Sequence, residues 1–223
     1  MKVKIISHSQ APYDDSMHKA SALDLVAYCA RVSNPDNQNN TETSEKLVKY
    51  LMKHKHWSPL EMVSACLEIE TTRDIARQIL RHRSFSFQEF SQRYADPTQE
   101  LSFEIREARL QDPKNRQNSI NCDDDALQAV WEEMQKSVID TALDAYNFAV
   151  TNGIAKEQAR VVLPEGNTVS RLYVNGTLRS WIHYIELRGA NGTQKEHIEI
   201  AHAVADVIAK IFPLAEEFKN KQI

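Results

Sequence analysis

Residues 62–70, MVSACLEIE, alternate cleanly: Val63, Ala65, Leu67 and Ile69 are apolar, and Ser64, Cys66, Glu68 and Glu70 stand between them. Successive side chains of an extended chain point to opposite faces, so this pattern predicts a strand with one face buried and the other wet. The period then changes. Thr71 or Thr72 can cap a helix, in which Ile75, Ala76, Ile79 and Leu80 form the buried stripe. Gln78, Arg81 and His82 lie at i, i+3 and i+4 and share another face of that helix. The chain must therefore place a covered sheet and a helix end side by side.

Elsewhere the pattern is mostly helical. Val3 and Ile5 alternate with Lys2 and Lys4, predicting an opening strand. Residues 19–31 read as a helix, 34–42 as a polar loop and Ser44 to Lys53 as a second helix, followed by a turn around Pro59. The polar, mixed-charge stretch 104–124 reads as a long loop. From Asp125 to Asn152 the residues Leu127, Val130, Trp131, Met134, Val138, Ala142, Ala145 and Ala149 recur at three and four, predicting a long helix stopped by Gly153. A short helix at 155–162, an extended segment at 168–174 and a helix at 177–187 follow. A last helix at 193–211 is expected to bury Ile198, Ala201, Ala205, Ile208 and Ala209. Only five glycines argue against a turn-rich sandwich or barrel. With no repeats or linker, the expectation is one α+β domain over 1–223, helix-rich, with a small mixed or antiparallel sheet.

Charge and composition exclude several functions. With 27 basic and 31 acidic residues, a general nucleic-acid scaffold is not expected. No apolar stretch approaches the roughly 20 residues of a membrane span, and the opening MKVKIISHSQ lacks the apolar core of a signal peptide. Three scattered cysteines indicate a reducing compartment, hence the cytoplasm, or a host's cytoplasm if a virus encodes the chain. Cys29 and Cys66 fall in apolar patterns and read as packing residues, and Cys122 lies in the polar loop without a flanking base. His54 and His56 lack a third ligand at useful spacing, so no metal site is expected. There is no G-x-G-x-x-G, phosphate-loop or G-x-S-x-G motif.

Against this acidic background, residues 77–94, RQILRHRSFSFQEFSQRY, concentrate Arg77, Arg81, Arg83 and Arg93 with one histidine. Guanidinium forks suit phosphate or carboxylate, and Ser84, Ser86, Gln88, Glu89 and Ser91 add hydroxyls, an amide and a carboxylate among them. A solvated charged face is the plain reading; an anion site is the functional one. Arg160, Arg171, Arg179 and Arg188 lie among apolar runs nearer the C-terminus, with Arg179 and His183 on one helix face.

Taken together, these stretches resemble the flavin-dependent thymidylate synthases. The family signature R-H-R-x-x-S-x-N-E-x-S-x-R reads here Arg81, His82, Arg83, Ser86, Gln88, Glu89, Ser91 and Arg93, with seven of eight fixed positions matched and Gln88 in place of asparagine. Ala30 to Ser33, His56 to Glu61, Thr72 to Gln78, Ala159 to Pro164 and Leu187 to Glu196 fall in the family's order, so the similarity covers nearly the whole chain.

The resemblance implies the family's fold and a homotetramer with active sites shared between subunits. It implies conversion of dUMP to dTMP, with methylenetetrahydrofolate as carbon donor and NADPH reducing through FAD. By motif position, dUMP would meet Gln78, Arg81, Glu89, Phe90, Ser91, Gln92, Arg93, Arg160 and Arg188, with Arg93 and Arg160 as phosphate forks. FAD would meet Ser33, His56, Ser58, Glu61, Arg81, His82, Arg83, Ser84 and Glu89, then Arg179 and His183, with either Asn175 or Thr177 in an asparagine's role. Gly192 stands where some members carry a histidine near the flavin. Arg188 would polarise the uracil ring, while Ser91 would orient the pyrimidine without acting as nucleophile. An inactive flavin- or nucleotide-binding homologue and a non-catalytic nucleotide- or RNA-binding module are the alternatives. No membrane partner is implied.

Overall fold

The computed structural model describes residues 1–11 and 20–219. In chain order it contains β1 (Lys2–His8), α1 (Ala22–Ala30), α2 (Ser44–Lys53), β2 (Ser64–Thr72), α3 (Arg73–Ile79), β3 (Ser86–Glu89) and α4 (Pro97–Glu100). These are followed by β4 (Arg109–Gln111), β5 (Ser119–Asn121), α5 (Asp125–Thr151), α6 (Lys156–Ala159), β6 (Val169–Thr177), α7 (Leu178–Gly189) and α8 (Lys195–Ala209). Short 3-10 turns occupy 35–37, 58–61, 160–162 and 213–218. The helix expected at 19–31 begins at Ala22, capped by Ser21 in a reciprocal box with Asp24; Lys19 lies outside the described residues.

Four antiparallel strands form the main sheet in the order β1-β2-β6-β3. The alternation in β2 is realised as expected: Ala65, Leu67 and Ile69 are buried, as is Val63 just before the strand. On the opposite face Glu68 meets Lys4 at 2.9 Å across the β1 pairing. α7 and α8 cover the apolar face, and the Trp181 indole N–H donates to the Ala65 carbonyl at 3.0 Å. β2 runs directly into α3. Thr72 occupies the cap position, but its hydroxyl donates to the Asp74 carboxylate at 2.7 Å rather than accepting from the helix backbone.

Three expectations change. The stretch 104–124 is not wholly a loop: β4 and β5 pair as a small ribbon, and the Asp112 carboxylate accepts from the backbone N–H groups of Lys114 and Asn115 and from the Asn118 amide at its turn. In α8 the buried stripe is His197, Ile200, Ala201, Val204, Ala205, Val207 and Ile208, with Ile198 and Ala209 half-buried at its margin. The stripe is rotated because it includes a histidine, which a hydropathy pattern passes over.

The third change is larger. α5 buries Gln135, Ile139, Ala142, Tyr146 and Ala149, while Leu127, Val130, Trp131, Met134 and Val138 are 42–60% exposed and Ala145 is also exposed. The first half of the helix is held by amides. Gln135 accepts from the Arg106 N–H at 2.9 Å and donates to the Arg106 carbonyl at 2.8 Å, and Gln128 does the same to Ala108 at 2.7 and 2.9 Å. The apolar stripe lies on another side. α5 ends at Asn152, and Gly153 adopts φ +79, where a side chain is strained.

Candidate functional site

The basic run is built as helix, turn, edge strand and turn. α3 ends at Ile79 with Leu80 as its cap, so Arg81 and His82 do not continue the helix face that carries Gln78. They sit instead in a turn closed by the His82 N–H on the Ile79 carbonyl at 3.0 Å and pinned by Phe85. The Phe85 ring is buried against Trp181, with centroids 4.5 Å apart. β3 then pairs Ser86 with Asn175 and Gln88 with Tyr173. Pleating places Ser86 and Gln88 on the exposed face and turns Phe87 and Glu89 inward.

Glu89 is engaged from below: its carboxylate accepts from the Ser170 hydroxyl at 2.9 Å and from Arg73 at 3.5 Å. Phe90 is tied to the sheet end by its N–H on the Arg171 carbonyl at 2.9 Å. In the next turn the Ser91 hydroxyl accepts from the Arg93 N–H at 3.4 Å. Gln92 is 4% exposed, and its side-chain nitrogen has no partner among the described residues. Arg93 and Arg160, far apart in sequence, converge on Glu157: Arg93 Nε lies 3.3 Å from its carboxylate, and Arg160 Nε donates to its carbonyl at 3.3 Å. Arg81 and Arg83 are exposed and have no carboxylate partner among the described residues.

Arg188 reaches this turn from α7. Its Nε donates to His82 Nε2 at 2.9 Å across 106 positions of sequence. Accepting that bond requires an unprotonated Nε2. Burial, and then the neighbouring Arg188 charge, hold the His82 imidazole well below its usual value near 6.5, at about 4. His82 packs edge-on to Tyr184, centroids 5.1 Å apart. Tyr184 OH in turn lies 3.1 Å from Nε2 of His197, whose Nδ1 lies 3.1 Å from the Gln78 carboxamide oxygen. His197 is 0% exposed, and burial holds it at about 3. Neither His197 nor Tyr184 stands out in the sequence; the one available signal is that position 197 falls on the buried i, i+3, i+4 stripe of α8.

A second group gathers at the start of α7. Arg179 pairs with Glu61, the His183 ring lies 4.7 Å from Trp57, and Ser58 opens the 58–61 turn beneath them. The Ser180 hydroxyl donates to the Ser84 carbonyl at 3.2 Å, binding this group to the Arg81–Ser84 turn. Of the two alternatives on β6, Thr177 caps α7 by accepting from the Ser180 N–H at 3.2 Å, whereas Asn175 is exposed. His56 is exposed beside Tyr50 and His54, and Ser33 lines a cleft of about 550 Å³ with Arg31, Lys46 and Tyr50.

Burial pushes the Cys29 and Cys66 thiols up, away from thiolate. Among the described residues no group of three or more His, Cys, Asp or Glu is placed to hold a metal ion, and no helix is long and apolar enough to cross a membrane.

The model of the thymidylate synthase complementing proteins matches residues 16–214. The chain is 47% identical over 213 residues to a probable flavin-dependent thymidylate synthase of Paramecium bursaria Chlorella virus 1, covering 96% of each chain. Identity and coverage are the same for the flavin-dependent thymidylate synthase of Synechocystis sp.. Among solved structures, a UMP/dUMP methylase PolB from Streptomyces cacaoi bound with 5-Br dUMP aligns with a TM-score of 0.76 at 28% identity, over 97% of this chain and 93% of that one.

Proposed function

The chain belongs to the flavin-dependent thymidylate synthase family, and from that premise we propose that it methylates dUMP reductively to dTMP, taking the carbon from methylenetetrahydrofolate and reducing equivalents from NADPH by way of FAD. The observation that carries this reading is the bond from Arg188 to a neutral His82, which joins the arginine of α7 to the Arg-His-Arg turn at one place. A guanidinium held there beside a pyrimidine stabilises negative charge developing on the ring and makes its C5 more nucleophilic. This suits a chain in which burial pushes the Cys29 and Cys66 thiols up, away from thiolate, and Ser91 has no base beside it and orients rather than attacks.

The residues fit both ligands by their chemistry. Arg93 and Arg160, converging on Glu157, take the dUMP phosphate, displacing a single exposed carboxylate. Gln78, Glu89, Phe90, Ser91 and Gln92 surround the nucleoside. The buried, unpartnered amide of Gln92 supports this, since leaving such a donor unmatched costs about 1–3 kcal/mol. For the FAD pyrophosphate, the uncommitted guanidinium groups of Arg81 and Arg83 supply charge, and His82, Ser84 and Glu89 complete that wall. Ser58, Glu61, Arg179 and His183 hold the rest of the cofactor, with Asn175 rather than the capping Thr177 as the β6 contact. When bound, the flavin carries the redox chemistry, and the protein orients and polarises.

As the family resemblance implies, the sites are completed by neighbouring subunits. The exposed stripe Leu127, Val130, Trp131, Met134 and Val138 supports a homotetramer, because an apolar face of this extent favours a partner. Residues 1–223 act as one such domain, working in the cytoplasm, or in a host's cytoplasm if a virus encodes it. The test is an absorbance titration of the FAD-loaded protein. The flavin band is expected to shift with dUMP and not with uridine. A protein that cannot be reconstituted with FAD, or whose flavin ignores dUMP, overturns the reading.

A further inference from the structure

We propose that His197 is a positioning residue that holds Gln78 as a hydrogen-bond donor toward the pyrimidine and so makes the site choose uracil over cytosine. The inference rests on the reading above, in which Gln78 and Arg188 meet the base.

The carboxamide of Gln78 has a fixed polarity. Its oxygen faces His197 Nδ1 at 3.1 Å, and an oxygen can only accept. Nδ1 therefore carries the ring's single proton, which leaves Nε2 with a lone pair that accepts from the Tyr184 hydroxyl at 3.1 Å. Both ring nitrogens are used, and the ring is sealed from solvent. The other end of the carboxamide donates one N–H to the Gln194 side-chain oxygen at 2.9 Å. The second N–H has no partner among the described residues, and Gln78 is half-buried, so it retains an open side.

This polarity has a consequence for the base. With its oxygen occupied, Gln78 presents only a donor. Uracil offers a carbonyl oxygen at both ring positions 2 and 4, whereas cytosine replaces the second with an amino group. Facing ring position 4, a fixed donor matches the carbonyl of uracil and opposes the amino group of cytosine, and a buried mismatch of this kind is worth on the order of tenfold or more in affinity. Without His197, the carboxamide is free to turn over and present its oxygen, and the preference is lost. The same histidine supports Arg188 through Tyr184, which stacks edge-on against the His82 that accepts from Arg188. One buried ring thus orders both groups assigned to the pyrimidine.

The two arms are separable. In His197→Asn the amide nitrogen takes the place of Nδ1 and keeps the bond to Gln78. In His197→Gln the side-chain oxygen takes the place of Nε2, accepts from the Tyr184 hydroxyl and keeps only that bond. His197→Leu removes both. Binding of dUMP and dCMP to each FAD-loaded protein, measured by calorimetry, gives a selectivity ratio that general loosening of the fold would not abolish in one variant and spare in the other. The wild-type protein and His197→Asn are expected to prefer dUMP at least tenfold, and His197→Gln and His197→Leu to lose most of that ratio. If His197→Leu does not fold, the Asn and Gln pair still decides. Equal ratios in those two variants overturn this proposal alone. A wild-type protein that ignores dUMP overturns the functional reading and this inference with it.

Discussion

Gly176 offers the sharpest single test of how the fold holds the site. It is buried in β6 between Asn175 and Thr177, and a Cβ built on it would lie 2.3 and 2.5 Å from two ring carbons of Phe85. The residue is glycine because it needs room, not an unusual backbone angle. Phe85 has little freedom to retreat, since it is packed against Trp181 at 4.5 Å and Tyr184 at 6.0 Å. Gly176→Ala is therefore expected to destabilise by about 3 kcal/mol, the upper end of the overpacking range, because the overlap exceeds what a small side-chain adjustment relieves. Phe85→Leu alone removes ring volume and is expected to cost about 1–2 kcal/mol. The double variant should recover at least ~1 kcal/mol relative to the sum, since the leucine vacates the space that the new methyl needs. Urea unfolding at fixed protein concentration measures all four species of the cycle. FAD affinity should follow, falling in Gly176→Ala and returning in part in the double variant, because Phe85 anchors the turn that carries Arg81 to Ser84. Strict additivity of the two substitutions would refute the reasoning.

Arg93 is exposed, so Arg93→Ala is expected to weaken dUMP binding by roughly 1–2 kcal/mol while sparing FAD; unchanged dUMP affinity in a binding titration removes the phosphate role. Arg188→Ala should abolish turnover and leave flavin bound, and loss of the flavin from an intact oligomer counts against its assignment to the pyrimidine. Trp131→Glu places a charge in the exposed stripe of α5 and should break the proposed tetramer into smaller species by sedimentation; an unchanged assembly puts the interface elsewhere. His82 and His197, held at about 4 and about 3 against an unfolded value near 6.5, stay neutral in the native state while the unfolded chain protonates. Their contribution is thus complete above about 6.5 and declines as pH falls toward 4. Discounted for the solvent access of half-buried His82, the loss for the pair is on the order of 2–4 kcal/mol. Replacing both by asparagine should flatten the acid limb of a stability–pH curve, and an unchanged limb would show that other groups set it.

Burial on one face has a period, and wherever the fold obeys that period the chain was readable. β2 alternates because α7 and α8 cover one side of it, and α5 is recognisable as a helix from its three-four spacing. The same spacing says nothing about what does the covering. Leu127 to Val138 form a regular apolar stripe, yet the chain's own contact to that half of α5 comes from Gln128 and Gln135 binding backbone at 106–108. Periodicity marks an apolar face and is blind to whether the cover is the same chain or, as proposed above, another copy. The candidate site divides along a similar line. The Arg81–Arg93 run was legible because it lies in one stretch and matches a known signature. The arrangement that orders it was not, because Gln78, Tyr184, Gln194 and His197 come from α3, α7, the α7–α8 connection and α8, and a hydrogen-bond network leaves no spacing in sequence. The candidate residues were also expected on a different geometry: Gln78, Arg81 and His82 do not share a helix face, because α3 stops at Ile79. That early stop turns His82 away from a continuing helix and into the path of Arg188. A helix two turns longer would have kept the signature intact and put its histidine out of reach of the arginine it serves.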